Sequence, residues 1–214
     1  ASHQKAEAAA NAGKFKDDIV PVEIKGKKGV VVFDADETIR FGAKLEDFQR
    51  LKPCFLTDGT GMVTAGNASP CNDEGAAVVM MSLGKARELG LVPKCAVRGF
   101  ASAGVHPSIM GYAPVYAVQK LLAKTGLKKE DIGLWELNEA FAAQALACVK
   151  DLGLDMEKVN VNGGAIALGH PVGATGARLV MTIMAEMERR DVRYGVVSLC
   201  IGGGQGIATL VERI

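Results

Sequence analysis

The sequence predicts a layered α/β domain built on a mixed sheet, and three observations carry that prediction. From residue 95 onward, stretches with strand character alternate with stretches of helical periodicity. The last two strand-like stretches, 194–200 and 207–212, are separated only by a glycine turn at 202–206, so they return as a hairpin and make the sheet mixed. A chain of 214 residues, 49% hydrophobic and with 26 glycines, can bury a core and turn tightly, as one large domain or two small ones.

Composition also narrows the function. A net charge of +1 offers no global attraction to nucleic acid or to an anionic membrane. No apolar run approaches the roughly 18 residues of a membrane span. The five cysteines (Cys54, Cys71, Cys95, Cys148, Cys200) are odd in number and contain no C-x-x-C pair. That pattern argues against a disulfide framework or a zinc knuckle and for a reducing, cytoplasmic compartment.

In chain order, residues 2–13 are alanine-rich and read as a helix. It starts without a cap or an initiator methionine, as a piece of a longer chain would, and any targeting segment would lie upstream of Ala1. Residues 18–24 and 29–33 read as short extended segments around a lysine-rich turn. The acidic run at 34–37 has no His or Cys at ligand spacing, so it reads as a solvated loop rather than a metal site. Residues 45–51 have helical spacing and stop at Pro53. Residues 62–65 read as extended, 66–75 as a polar loop of small residues, and 76–81 as an apolar strand buried on both faces. A helix at 85–89 ends at Gly90, a strand spans 95–102, and 104–114 is a loop rich in Gly and Pro. Residues 115–125 are amphipathic, with Val115, Val118, Leu121 and Leu122 on one face and Gly126 closing the helix. Then follow a strand at 132–137, a helix at 139–152, a short strand at 159–162, and a long helix at 174–190.

Residues 160–177 are the stretch around which the chain is organised. Five glycines surround His170, which is set between Gly169 and Pro171. Glycine permits close approach of backbone to ligand. The glycines at 169, 173 and 176 do not fit G-x-G-x-x-G, and the P-loop lysine is absent, which disfavours a nucleotide site. Three loops, each expected at the C-terminal end of a strand, carry Asn138, His170 and Cys200, where open α/β sheets place ligands. A cysteine with a histidine points to nucleophilic or acid–base work on an acyl group. The glycines after Cys200 supply backbone N–H groups of the kind that form an oxyanion hole. Singly, each residue has an ordinary structural reading: a buried strand-end cysteine, a helix N-cap at Asn138, an incidental histidine in a tight turn. Their combination is what points to an active site.

Asn138-Glu139-Ala140-Phe141, Gly169-His170-Pro171 and Cys200-Ile201-Gly202-Gly203-Gly204 resemble the three signature motifs of the C-terminal half of the thiolase family, in the family's order. The stretch 160–178 is nearly a family pattern by itself, and the likeness extends to residues 64–69. The resemblance implies a thiolase fold, in which two similar halves stack into αβαβα layers around mixed sheets and an inserted loop domain binds coenzyme A. It implies that residues 1–71 are the second part of that loop domain, 72–93 the end of the N-terminal half, and 94–214 the C-terminal domain.

The same resemblance implies roles. His170 matches the histidine that activates a nucleophilic cysteine and, with a water held by Asn138, forms one oxyanion hole. Cys200 matches the cysteine that exchanges the proton at the acyl-CoA α-carbon, and Gly202 contributes an N–H to the second oxyanion hole. Ser69 and Ala68 match the pantetheine tunnel, Arg40 the nucleotide end of coenzyme A, and Phe55, Met110 and Phe141 the walls of the acyl pocket. Coenzyme A and acyl-CoA enter as substrates, no resident cofactor is implied, and a homodimer or homotetramer is expected of the full-length protein.

One departure is important. None of Cys54, Cys71, Cys95 or Cys148 matches the setting of the family's nucleophilic cysteine, and His3 and His106 do not match its loop-domain histidine, so this chain alone is expected not to complete thiolysis. Residues 137–146 and 206–213 favour a degradative 3-ketoacyl-CoA thiolase of β-oxidation, with a biosynthetic acetoacetyl-CoA thiolase close behind. A non-catalytic acyl-CoA-binding or lipid-handling relative is the alternative from another class, and a decarboxylating ketoacyl synthase a weaker enzyme rival.

Overall fold

The computed structural model describes residues 1–214. The chain opens with helix α1 (Ser2–Asn11), followed by a two-stranded hairpin, β1 (Val22–Gly26) and β2 (Gly29–Phe33), and two short helices, α2 (Leu45–Gln49) and α3 (Leu83–Glu88). From Cys95 the elements are β3 (Cys95–Gly104), α4 (Ala113–Thr125), β4 (Leu134–Leu137), α5 (Ala142–Leu152), α6 (Ala165–Leu168), α7 (Thr175–Arg189), β5 (Tyr194–Ile201) and β6 (Gln205–Arg213). The four strands form one sheet in the order β3-β6-β5-β4. β6 is antiparallel to β3 and β5, whereas β4 is parallel to β5, so the sheet is mixed as the alternation and the closing hairpin required.

Helices cover both faces of this sheet. On one side Val115, Val118 and Leu121 of α4 pack with Cys148 and Val149 of α5 over Trp135, Leu137, Val196 and Leu210. On the other, Leu179, Ile183 and Met187 of α7 meet Leu134, Val197 and Val211. Strand neighbours such as Leu134 and Trp135 thus enter opposite cores, as a period of two demands. α7 has no side-chain N-cap. Its spacing of four buries three large side chains, each worth about 1.5–3 kcal/mol, and that burial holds the helix against the sheet. Gly195 makes the close approach possible, because a Cβ there would lie 2.7 Å from both Ile183 Cδ1 and Met187 Sδ.

Several expectations need correction. Residues 76–81 form no strand and Val79 and Met80 are exposed, because no other strand lies beside this run to take up its backbone hydrogen bonds. Residues 62–65 are likewise not a strand, and make only the isolated Pro53–Thr64 bridge. The expected strand at 159–162 reduces to a parallel bridge between Val159 and Trp135 at the β4 edge. Helix α5 begins at Ala142 rather than at residue 139; its N-cap is Phe141, at an extended φ of −143°, so Asn138 is not the cap. Part of the loop before α4 winds into a 3₁₀ segment, Pro107–Tyr112, and the glycine-rich stretch holds the short helix α6, whose alanines Ala165 and Ala167 are buried. In the acidic run, Asp36 Oδ1 accepts hydrogen bonds from the Thr38 N–H and hydroxyl, closing a local turn. No helix is long and apolar enough to cross a membrane.

Candidate active site

Asn138 directly follows β4 and donates its backbone N–H to Ser198 O of β5 at 2.9 Å, which extends the parallel ladder by one step. Its side chain is buried and its amide Nδ2 lies 3.3 Å from His170 Nε2. His170 leaves α6 through Gly169, which holds a positive φ of 93°. A Cβ at Gly169 would lie 2.5 Å from Asn72 Oδ1, and that same oxygen accepts the His170 backbone N–H at 3.1 Å. The other ring nitrogen, Nδ1, is 2.7 Å from Thr175 Oγ1, at the first residue of α7.

Hydrogen-bond arithmetic sets the tautomer. The single hydroxyl hydrogen of Thr175 goes to Pro171 O at 2.8 Å. Thr175 Oγ1 therefore accepts from Nδ1–H, and Nε2 carries the lone pair that faces the Asn138 amide. Burial lowers the His170 pKa below its ordinary value, and the nearby Arg178 guanidinium lowers it further. Arg178 is anchored by donating from Nη2 to Gly169 O at 2.9 Å. His170 is thus a neutral base near pH 7 with a fixed orientation.

Cys200 is the penultimate residue of β5 and is buried, opposite Gly206 across the hairpin. Burial pushes its thiol pKa up, so at neutral pH it holds its proton and suits the role of a proton donor. No hydrogen bond joins its sulfur to Asn138 or His170. Gly202 opens the β5–β6 turn, exposed, with nothing within 4 Å of where its Cβ would stand. Gly204, at φ 92°, is close-packed instead, since a Cβ there would lie 2.3 Å from Val105 O.

Ser69 and Ala68 belong to a segment that runs between the loops carrying Asn138 and His170. Ala142 donates to Asn67 O at 2.8 Å, Ser69 donates to Ala140 O at 3.0 Å, Ala68 bridges Phe141, and Cys71 bridges His170. Phe141 is half-buried at the start of α5. Met110, also half-buried, lies on the 3₁₀ segment whose Gly111 abuts the Gln144 side chain of α5. Arg40 and Phe55 are placed apart from this cluster: Arg40 is exposed, with its backbone N–H donated to His3 Nδ1 at 3.2 Å, and Phe55 is 71% exposed in the loop before residue 62.

The families described as "Thiolase, C-terminal domain" and "Thiolase, N-terminal domain" match residues 91–213 and 1–84. The chain belongs to the thiolase family. Acetyl-CoA acetyltransferase of Allochromatium vinosum is 54% identical over 215 residues, covering 100% of this chain and 54% of the relative. The acetyl-CoA acetyltransferase of Paracoccus denitrificans is also 54% identical, over 213 residues. Among solved structures, the Bacillus anthracis acetyl-CoA acetyltransferase superposes with a TM-score of 0.93 at 48% identity, over 100% of this chain and 54% of its own. Human mitochondrial 3-ketoacyl-CoA thiolase gives 0.91 at 44%, over 100% and 53%. The fold is therefore the thiolase fold, and this thiolase chain spans about half the length of the curated relatives it matches.

Sequence reasoning missed Thr175, Asn72 and Arg178 as partners of His170 and its loop. Thr175 and Arg178 lie within the family-like pattern 160–178, five and eight residues after His170, but their partners are ring and backbone atoms that no spacing rule reveals. Asn72 lies 98 residues from His170, and nothing local marks it.

Proposed function

We propose that this chain carries the acid–base part of a thiolase-type acyltransferase site. The reaction is CoA-dependent cleavage of a 3-ketoacyl-CoA into acetyl-CoA and a shortened acyl-CoA, or the reverse Claisen condensation. The observation that carries the reading is the Asn138–His170–Thr175 relay, in which a neutral imidazole presents its Nε2 lone pair beside a buried amide. Such a base can take the proton of a cysteine thiol as it attacks the 3-keto carbon. Breaking the Cα–Cβ bond then leaves an acyl thioester on the cysteine and an acetyl-CoA enolate. Cys200, held as a thiol, gives its proton to the enolate carbon and recovers one from the incoming CoA thiol; the CoA sulfur takes the acyl group, the acyl–cysteine C–S bond breaks, and the departing cysteine sulfur regains the proton held on His170. Donors at the two oxygens, one set made by Asn138 and by His170 once its Nε2 holds the cysteine proton, and one by the Gly202 backbone, stabilise the developing charges.

The nucleophile in this reading is none of the chain's own remaining cysteines. Cys148 is buried with its pKa pushed up to about 11 by desolvation, and Cys54 and Cys71 are exposed. It belongs to the part of the relatives beyond the span matched here. In the same reading residues 1–71 belong to the CoA-binding loop domain, 72–93 to the end of the N-terminal half and 94–214 to the C-terminal domain, and the full-length protein is a homodimer or homotetramer.

Replacing Cys200 with alanine in the active enzyme tests the assignment. Turnover of acetoacetyl-CoA should be lost while CoA affinity, read by calorimetry, changes less than about twofold. Undiminished turnover would remove Cys200 from the mechanism, and binding without turnover in the parent enzyme would favour a non-catalytic acyl-CoA carrier.

A further inference from the structure

Three segments of the chain meet at the carboxylate of Glu139. Its Oε2 accepts from Ser2 Oγ of α1 at 2.7 Å and from the Ile166 backbone N–H of α6 at 3.3 Å, and its Oε1 accepts from Asn160 Nδ2 at 3.2 Å. Asn160 is buried at a positive φ of 46°. Its amide clasps Leu137 in both directions, accepting from Leu137 N–H and donating to Leu137 O, each at 2.8 Å. Ser2 Oγ also accepts the Gly164 N–H at 3.0 Å. Two glycines let these segments approach closely. A Cβ on Gly164 would stand 2.3 Å from the Glu139 carboxyl carbon, and one on Gly163 would stand 2.7 Å from Ala6 Cβ of α1.

Asn138 and His170 lie on different loops, 32 residues apart, and nothing within either loop sets the 3.3 Å between their side chains. Glu139 adjoins Asn138, and its donors belong to the glycine-rich stretch that leads to His170 and to α1. A carboxylate accepts at both oxygens, as three donors require, whereas a glutamine amide would turn an N–H toward one of them. We propose that Glu139 is a positioning residue whose carboxylate registers Asn138 against His170 and makes that register depend on the docking of α1. Its consequence for catalysis rests on the thiolase reading above; the registration itself is a property of this chain's geometry.

The test uses Glu139→Gln and Ser2→Ala. The imidazole signals of the chain's three histidines are followed by NMR across pH, with His106 as the remote control, and steady-state kinetics are measured in the active enzyme. For Glu139→Gln the His170 signals should move, while those of His106 stay put. The kcat should fall about ten- to a hundredfold with KM for CoA changed less than about threefold, because a misplacement near 1 Å costs up to about a hundredfold. Ser2→Ala should move both readouts in the same direction by less, and it carries the test if Glu139→Gln fails to fold. Unchanged His170 signals and kcat alongside a lowered melting temperature would overturn the proposal and leave Glu139 a merely structural acceptor. Absence of thiolysis in the parent enzyme would fail the functional reading alone, and the histidine spectra would still decide the registration.

Discussion

Thr175 Oγ1 accepts the Nδ1–H of His170 at 2.7 Å while donating its own hydrogen to Pro171 O at 2.8 Å. One hydroxyl at the start of α7 therefore determines which imidazole nitrogen can act as a base. Thr175→Val keeps the shape and removes the acceptor. In the active parent enzyme it should lower kcat at least about tenfold, since a wrong tautomer in a comparable relay is far more costly. Thr175→Ser should retain activity within a fewfold. Steady-state kinetics of the three proteins decide the matter, and an unimpaired valine variant would refute the tautomer argument.

Arg178 connects the same ring to pH. Burial and then the Arg178 charge hold the His170 pKa below 6.5, so the imidazole stays unprotonated through neutrality, and kcat/KM of the active parent enzyme should decline only as pH falls below that value. Arg178→Gln removes the charge and should move the acid limb of the kcat/KM profile to higher pH. Arg178→Lys keeps the charge and should leave the limb closer to the parent. Coincident acid limbs in all three would show that the charge has no influence on His170.

Glu136, on β4 two residues before Asn138, is buried with Oε2 unpartnered. Burial pushes its pKa up to about 8 from 4.5, against the opposing pull of Arg178. Between those values the folded chain keeps a proton that the unfolded chain has released, so stability falls as pH rises across that window and levels off above it. Glu136→Gln should be more stable than the parent at pH 8 and above, by on the order of a few kcal/mol, with the difference vanishing below about pH 4. Urea unfolding at the two ends of the range measures this.

Glu186 shows the opposite linkage. Burial alone would raise its pKa, but hydrogen bonds from Asn162, Arg189, Arg190 and Lys14 overrule it and bring the value to about 2. The stability it contributes is fully present above 4.5 and disappears as pH falls toward 2. Glu186→Gln should cost about 2 kcal/mol at pH 7, the scale of charged hydrogen bonds lost while the partner cations remain partly solvated. Near pH 2 the two proteins should unfold alike, and a gap that persists there would place the loss in packing.

Much of the fold was legible in the linear pattern. The α4 stripe of Val115, Val118 and Leu121, the α7 stripe of Leu179, Ile183 and Met187, and the β5–β6 hairpin follow from local periodicity and turn chemistry, which one segment encodes by itself. Residues 76–81 and 159–162 were misread as strands, because a strand exists only beside a neighbour and an apolar run does not say whether one will be there. In the site, Asn138, His170 and Cys200 announced themselves by residue type and by glycine-rich surroundings.

By itself, then, the sequence determined the layered α/β architecture, the family, and which three side chains are the candidates for chemistry, since those depend on composition and short spacing. Only the tertiary structure decided that Thr175 orients His170, that Asn72 holds its backbone, and that Glu139 and Asn160 tie the Asn138 loop to α1 and α6. Those contacts join residues as far as 137 positions apart. Hydrogen bonds of that range are created by the packing of elements, and no local rule of the chain specifies them in advance.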